Sequence, residues 1–287
     1  MGLSRISPMT REVNHCKNVK NDFMRRCLFF IFVYLAFPAH GQKEIHLDLG
    51  VGLTSHVIKD DAMSPVRYTG VLPTLAIGTI KTKVNKKLSE LRLTLQYSNI
   101  HAKAAKDYPS MKGPLFRLDF DYVHLRKTNL IRDSTYGTFF VGGSFHTLLS
   151  FRFMPQLDNS AIIYDYFSSL GISAAYQHEF NWGKKRLRHY HRLSVPVVSV
   201  GSRPAYMNVF NFIAPNENDP IGDAFDRASL RSFGSHVRVI FRNSLFYPIR
   251  SNNLIGFTYE WQYYGASFTV PIRSAYHSFV FSLLVHL

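Results

Sequence analysis

Serine, histidine and carboxylate residues that could act in catalysis occur along the chain, but their spacing does not indicate a catalytic dyad or triad. Ser144 and His146 are two residues apart, which places both on the same face of a β-strand. His178 directly precedes Glu179, and adjacent strand residues point to opposite faces, so these two cannot form a dyad. A Gly-x-Ser-x-Gly nucleophile elbow is absent. We therefore predict no catalytic residues, although a Ser–His pair assembled from different strands stays open.

Residues that could bind a metal are also present, but their surroundings argue against a metal site. His189 and His191 share one strand face at a spacing that can chelate a metal, but Arg188 and the basic segment before it would repel a cation. Both cysteines, Cys16 and Cys27, lie in the N-terminal segment that we expect to be removed, so the mature chain has no thiolate ligand. We predict neither a metal site nor a cofactor.

The most informative pattern is the alternation of apolar and polar residues from about residue 45 to the end of the chain. In the clearest run, Leu91, Leu93, Leu95 and Tyr97 alternate with Glu90, Arg92, Thr94, Gln96 and Ser98. A period of two is typical of a β-strand with two chemically distinct faces. The polar faces repeatedly carry Arg, Asp, Glu and Gln, whereas the apolar faces are long and aromatic. This pattern predicts an all-β, transmembrane, antiparallel up-and-down barrel with lipid outside and polar residues inside. A soluble β-sandwich is the alternative.

The sequence predicts about ten strands, separated alternately by short turns and longer loops. The ten runs are Ile45–Thr54, Gly70–Ile80, Lys87–Asn99, Leu115–Leu125, Tyr136–Phe153, Tyr166–Phe180, Leu187–Val200, Arg231–Tyr247, Leu254–Tyr264 and Tyr276–Leu287. The longer loops are predicted at His56–Arg67, His101–Pro114, Pro155–Asp165, Gly201–Leu230 and Ala266–Ala275. Twelve strands are an alternative if Gly201–Leu230 contains a further hairpin. Pro73 and Pro196 fall within strand runs, and we expect each to mark a bulge or a rim position.

The two ends of the chain predict its location. Residues 1–41 contain a basic stretch, the apolar run Leu28–Phe37 and small residues before Gln42, as in a signal peptide, and Met24 is an alternative start. The last strand alternates Phe279, Phe281, Leu283, Val285 and Leu287 with smaller or polar residues. It resembles the closing strand of Gram-negative outer-membrane barrels, although those usually end with Phe, and the long aromatic strands look like barrels of the Bacteroidota. The resemblance covers residues 43–287 at the level of pattern and implies an outer-membrane location.

Sorting the charges by predicted position explains the basic composition, with 34 Lys+Arg against 19 Asp+Glu and a net charge of +15. The inward faces are predicted to hold a balanced lumen ion-pair network of Asp48, Glu90, Arg92, Arg117, Asp119, Asp121, Arg152, Glu179, Arg192, Arg238, Arg242 and Glu260. The surplus is predicted at a basic periplasmic rim formed by Lys81, Lys83, Lys86, Lys87, Arg126, Lys127, Lys184, Lys185, Arg186 and Arg188. A narrow barrel with a balanced interior can be filled by its own side chains.

These patterns support three functional hypotheses. The first is a non-catalytic barrel with a filled lumen that acts as a structural, adhesive or complex-forming component through its loops or basic rim. The second is a small solute channel, whereas a wide anion channel would have an unbalanced basic lining. The third is a lipid-modifying hydrolase. The expected partners are outer-membrane lipids and a periplasmic or outer-membrane protein, and nucleic acid is disfavoured because the chain is exported and has no recognition motif.

Overall fold

The computed structural model describes residues 43–83, 86–102, 111–128, 137–160, 162–203, 228–267 and 270–287. These residues form the strands β1 (Lys43–Asp60), β2 (Ser64–Lys83), β3 (Lys87–Ala102), β4 (Met111–Lys127), β5 (Thr138–Phe153), β6 (Ile162–Trp182), β7 (Lys185–Ser202), β8 (Ser229–Ser232), β9 (His236–Pro248), β10 (Leu254–Ser267) and β11 (Pro271–His286). Short 3-10 turns occur at Pro155–Ser160 and Arg250–Asn252. Within these ranges, no helix has the length and apolar character needed to cross a bilayer.

The strands form one closed antiparallel sheet. Sequential neighbours pair from β1 to β7, β7 pairs with β9, and β9, β10 and β11 continue the ring to β1. The seam between β1 and β11 runs from His46 opposite His286 to Asp60 opposite Ile272. The short strand β8 pairs with the far end of β7 and occupies the same position in the ring as β9. The predicted barrel of ten strands is confirmed, and residues 204–227, where a further hairpin was considered, lie outside the described residues.

The side chains alternate between the two faces of this sheet, and the polar face is the enclosed one. On β1, Asp48 is buried whereas its neighbours Leu49 and Val51 are exposed on the outer wall. On β11, Ser282 is buried whereas Phe281 is 60% exposed. Because a soluble sandwich would bury its apolar face, this arrangement is that of a barrel whose outside meets an apolar medium.

The strands are longer at one end than the sequence analysis predicted. His56–Arg67 was predicted as a long loop, but β1 continues to Asp60 and β2 begins at Ser64. Ala266–Ala275 was also predicted as a loop, but β10 and β11 extend into it on both sides. The outward face in these extensions carries Lys59, Arg67 and Arg273, so the apolar–polar contrast that marks a strand in lipid is lost there although the hydrogen-bonded ladder continues.

We call the two ends of the barrel the turn end and the loop end. The turn end contains residue 43, the short β2–β3, β6–β7 and β9–β10 connections and the final residue, whose amide donates to Ile45 O at 2.9 Å. The loop end contains the connections that follow β1, β3, β5, β7 and β10. Pro196 lies at a register shift between β6 and β7, as predicted. Pro73 lies in a stretch where no β2–β3 pairing occurs between Thr69 and Thr74, consistent with its missing N–H.

Two layers of buried apolar residues lie in the described lumen, one near each end. The turn-end layer consists of Leu88, Val123, Leu125, Phe140, Ala175, Tyr190, Phe246 and Leu284. The loop-end layer consists of Ile58, Met63, Tyr68, Leu72, Ile100, Ala102, Leu115, Leu148, Met154, Ile163, Phe167, Tyr264, Ala266 and Ile272. Charged side chains fill the space between the two layers, and a further charged cluster lies within the loop-end layer. The barrel interior is therefore a packed core.

Candidate functional site: the ion-paired lumen

The largest charged cluster in the lumen brings together three carboxylates and two arginines from five strands. Arg192 on β7 contacts Glu90 at 2.9 Å and also pairs with Asp121. Arg242 on β9 contacts Asp121 at 3.0 Å and pairs with Glu90 as well. The Arg242 Nε donates to Glu260 Oε2 at 2.7 Å. Each guanidinium thus bridges two or more carboxylates, which a planar group with five donors is suited to do.

A second cluster lies closer to the loop end. Arg117 Nε donates to Asp119 Oδ2 at 2.6 Å, and Arg238 donates to the other oxygen of Asp119 at 2.7 Å. Both arginines also donate to Gln262 Oε1, at 2.7 and 2.9 Å. The Arg117 guanidinium stacks over the Tyr276 ring at 4.2 Å from the centroid, which adds a cation–π contact. A carboxylate, an amide and an aromatic ring therefore compensate two buried cations.

A third cluster is a ring of alternating charges within the loop-end apolar layer. Arg152 contacts Asp165 at 2.6 Å and Asp60 at 3.1 Å. Arg203 contacts Asp165 at 3.0 Å and also pairs with Asp60. Tyr264 donates to Asp165 at 3.2 Å. The carboxylates and Arg152 are completely buried, so each charge depends on its partners for solvation.

The remaining predicted lumen residues form smaller groups. Arg92 Nη1 contacts Asp48 Oδ2 at 3.0 Å, and both side chains are buried. Glu179 lies at the turn-end mouth, where it forms an ion pair with Arg186 at 2.8 Å and accepts a hydrogen bond from Arg188 at 3.1 Å. The structure therefore places the predicted lumen residue Glu179 apart from the central clusters.

Taken together, the described lumen holds equal numbers of cationic and anionic side chains. The seven arginines are Arg92, Arg117, Arg152, Arg192, Arg203, Arg238 and Arg242. The seven carboxylates are Asp48, Asp60, Glu90, Asp119, Asp121, Asp165 and Glu260. Asp60, Asp165 and Arg203 are not among the predicted lumen residues, because their positions fall in predicted loops. The period-two alternation extends to Asp60 and Asp165, and this was the signal that could have identified them.

The ten residues of the predicted basic rim all lie at the turn end, but they fall into different environments. The side chains of Lys81, Lys83, Lys87 and Arg126 lie on the outer wall of β2, β3 and β4. Lys86, Lys127, Lys184 and Lys185 are exposed at or beside connections. Arg188 differs from the prediction, because its strand position faces inward and it pairs with Glu44 at 3.4 Å in addition to Glu179. Arg186 is exposed but also paired.

In the part of the chain that the structure describes, three Ser–His hydrogen bonds join neighbouring strands, and a Ser–His pair from different strands is the arrangement that the sequence left open. His56 contacts Ser274 at 2.6 Å and Ser199 contacts His236 at 2.8 Å, and both pairs are buried in the lumen.

The third pair, Ser89 Oγ with His124 Nδ1 at 2.7 Å, lies on the outer wall at the turn end. In the described residues, no carboxylate is hydrogen-bonded to any of the three imidazoles. Ser144 Oγ has no hydrogen-bond partner there, and His146 lies 2.9 Å from Asp121. No group of three or more metal-ligating side chains occurs in the same ranges.

No protein-family model matches the sequence, and no curated protein matches it. Among solved structures, the chain is similar to the translocator domain of autotransporter NalP from Neisseria meningitidis, at 8% identity and a TM-score of 0.34, over 94% of this chain and 97% of that one. It is also similar to OccK7 (OpdD) of Pseudomonas aeruginosa, at 10% identity and a TM-score of 0.22, over 85% of this chain and 100% of that one. The toluene transporter TodX of Pseudomonas putida matches at 6% identity and a TM-score of 0.21, over 86% and 90%.

Similarities of this size carry no argument about activity, and the fold follows from the strand pairing of the chain itself. The observations establish an architecture: this chain is a closed, ten-strand antiparallel β-barrel of the kind that outer-membrane proteins have.

Proposed function

We propose that this protein is an integral outer-membrane barrel with a sealed lumen, which acts through its ends as a non-catalytic structural, adhesive or complex-forming component. The observation that carries the proposal is the filled interior, in which seven arginines and seven carboxylates neutralise one another between the apolar layers and within the loop-end layer. A solute channel needs a continuous polar path with free charges or water along it. The described lumen has its charges paired, and all of the paired side chains except Glu260 are buried.

The outer wall supports a membrane location. Leu53 and Leu75 are more than half exposed on β1 and β2, and Phe281 is exposed on β11. Exposed apolar side chains that extend around a closed sheet cost free energy in water, and lipid removes that cost. The signal peptide and the Bacteroidota-like origin stay predictions from sequence, because residues 1–42 lie outside the described residues. Sequencing the N-terminus of the protein purified from membranes would test the cleavage before Gln42.

Conductance separates the sealed barrel from a solute channel. Refolded protein should insert into planar bilayers without steady unitary current steps, because the paired side chains occupy the lumen. A porin of known conductance in the same bilayers serves as the positive control, and flotation of vesicles confirms insertion. Regular current steps that scale with salt concentration would refute the sealed lumen and favour the channel.

The complex-forming role predicts a specific partner at the turn end. Lys184 and Lys185 extend from the β6–β7 hairpin, whereas Arg186 is held by Glu179. Purification from native membranes in mild detergent should therefore recover a second protein, and Lys184→Gln with Lys185→Gln should weaken that association without affecting folding. Recovery of a single monodisperse species from native membranes would contradict this role.

A lipid-modifying hydrolase is the second candidate, and the outward-facing Ser89–His124 pair is the observation that favours it. Its weakness is the lack of a carboxylate to orient the imidazole in the described residues, because that third group normally fixes the tautomer of the base. The test is turnover of labelled phospholipid or lipopolysaccharide by refolded protein. Turnover that Ser89→Ala abolishes would establish the hydrolase and overturn the non-catalytic assignment.

A further inference from the structure

The outer wall at the turn end carries a compact set of basic side chains that we call the wall patch: Lys81, Lys83, Lys87 and Arg126. These residues come from three adjacent strands. Lys83 on β2 lies opposite Lys87 on β3, and Lys87 lies opposite Arg126 on β4. Directly opposed residues in antiparallel strands are about 4.5–5.5 Å apart at Cβ, and like charges at that distance destabilise the sheet. The arrangement therefore needs a counter-charge.

The chain does not supply this counter-charge within the described residues. No carboxylate there forms an ion pair with any member of the wall patch. The same end of the barrel shows the opposite behaviour at Arg186 and Arg188, which share Glu179 at 2.8 and 3.1 Å. Acidic partners are thus present at the turn end, but they are directed to the mouth of the lumen and not to the wall.

The wall patch lies next to the apolar outer surface, from which one outward residue separates it on each strand, Thr79 on β2 and Ser89 on β3. Along β2 the outward positions continue from Lys81 to Ile77 and Leu75, and along β3 they continue from Lys87 to Leu91 and Leu93. Residues two apart on a strand are separated by about 6.6 Å. Lys81 and Lys87 therefore lie two such steps, and Lys83 three, from the surface that hydrocarbon would cover, and their long side chains can reach towards the level of the lipid phosphate groups.

A cleft on the wall completes the site. It is lined by Lys81, Lys83 and Lys87 together with Thr82, Ser89 and His124. The Ser89 hydroxyl and the His124 imidazole are hydrogen-bonded to each other at 2.7 Å on β3 and β4, and both face outward between the cations. Ammonium groups on flexible stems and a hydroxyl are suitable donors for the oxygens of a phosphate that moves with its lipid.

We propose that the wall patch binds the phosphate group of a phospholipid in the leaflet that surrounds the turn end, with anionic phospholipid preferred. The inference rests on the proposed membrane location, and it assigns a ligand class to one part of the basic rim. The lipid phosphate supplies the counter-charge that the three adjacent strands lack, and its acyl chains lie along the apolar wall above.

The test measures lipid association with the inserted full-length barrel. Phosphatidylcholine vesicles containing spin-labelled phosphatidylglycerol or spin-labelled phosphatidylcholine report the motionally restricted fraction of each lipid next to the protein. We expect wild-type protein to prefer phosphatidylglycerol, and Lys81→Gln/Lys83→Gln/Lys87→Gln to reduce that preference by roughly two- to fivefold. High salt should reduce the wild-type preference towards the variant value.

A matched variant controls for net charge. Lys184→Gln/Lys185→Gln/Arg250→Gln removes three charges from the same end but none from the wall patch, and it should keep the preference. Equal loss in the two triple variants, or no preference in the wild type, would overturn the proposal. Lys87→Gln alone provides a milder variant at the centre of the patch and should give an intermediate loss.

Two further arms identify the source of the anion. Inorganic phosphate at millimolar concentration should leave the restricted phosphatidylglycerol fraction unchanged, and displacement by phosphate alone would show a soluble-anion site instead. Loss of a co-purifying acidic protein from the wall variant, with unchanged lipid preference, would show a protein-binding site instead. Failure of wild-type protein to float with vesicles would refute the membrane location itself, whereas insertion without a lipid preference would refute only this inference.

Discussion

Replacing Arg152 with Met tests whether the charges in the lumen stabilise the barrel through their partners. Arg152 lies in the loop-end layer, has no solvent exposure and contacts Asp165 at 2.6 Å and Asp60 at 3.1 Å. Arg203 contacts the same two carboxylates. Removing Arg152 leaves one guanidinium to compensate two buried carboxylates. The site then carries an uncompensated negative charge in an apolar layer.

Removing one partner from a buried ion pair costs about 3–5 kcal/mol. We expect Arg152→Met to fall in that range, because both carboxylates are completely buried and cannot be rehydrated without opening the barrel. Lys59→Met is the control: Lys59 lies 4.0 Å from Asp61, both side chains are more than a third exposed, and such a pair contributes about 0–1 kcal/mol. The two variants remove the same charge from the same end of the barrel.

The free energy of unfolding can be measured by urea titration of protein refolded into vesicles, with emission from Trp182 and Trp261 as the signal. A second substitution makes the test stricter. Arg152→Met with Asp165→Asn leaves Arg203 paired with Asp60, so the double variant should be more stable than the sum of the single losses predicts, by about 1–3 kcal/mol. Additive losses, or an Arg152→Met loss below about 1 kcal/mol, would refute the reasoning about paired buried charge.

Three other predictions concern the wall, the seam and a turn. A spin label at Phe281 should be relaxed by oxygen dissolved in acyl chains, whereas a label at the adjacent Ser282 should not, and reversed accessibilities would contradict the assignment of the faces. Gly52→Val should destabilise the seam between β1 and β11, because a Cβ at position 52 would lie 2.0 Å from Phe279 O. A Cβ at position 143 would meet open space, so Gly143→Ala should be tolerated. Unfolding in urea compares the two variants. Ser251 has a φ of 58°, so Ser251→Gly should raise the free energy of unfolding by about 1 kcal/mol in the same assay, and a loss would contradict the turn geometry.

The faces of the strands were predictable from sequence because alternation is a local property. Glu90, Arg92 and Gln96 could be assigned to the interior from their own neighbours, and the structure buries all three. Their partners could not be predicted in this way. Glu90 is 152 positions from Arg242 and 102 from Arg192, and only closure of the ring brings the strands together. Alternation with a period of two assigns each side chain to a face of the sheet. Which side chains meet across the lumen depends on the pairing register and the tilt of the strands.

The third cluster, in the loop-end layer, was not fully predicted for a different physical reason. A strand in lipid is recognisable because its outward residues are apolar, and this contrast ends where the strand leaves the hydrocarbon. Asp60 lies in such an extension, where its outward neighbour Lys59 is charged, and Asp165 directly precedes Tyr166, the first residue of the predicted strand. The hydrogen-bonded ladder continues because backbone groups still need partners, whatever medium surrounds the strand.

The distribution of the two basic residue types connects the lumen to the wall patch. Every buried cation in the described residues is an arginine, and no lysine there is buried. Arg192 shows why, because one rigid guanidinium reaches both Glu90 and Asp121, which belong to adjacent strands. Carboxylates held at fixed separations favour arginine, whose planar guanidinium has several donors in a rigid arrangement. The ammonium group of a lysine, on a flexible side chain, can follow a ligand that moves. Lysines supply three of the four wall-patch cations, as expected if the counter-charge on the wall is a mobile lipid phosphate and the counter-charges in the lumen are part of the fold.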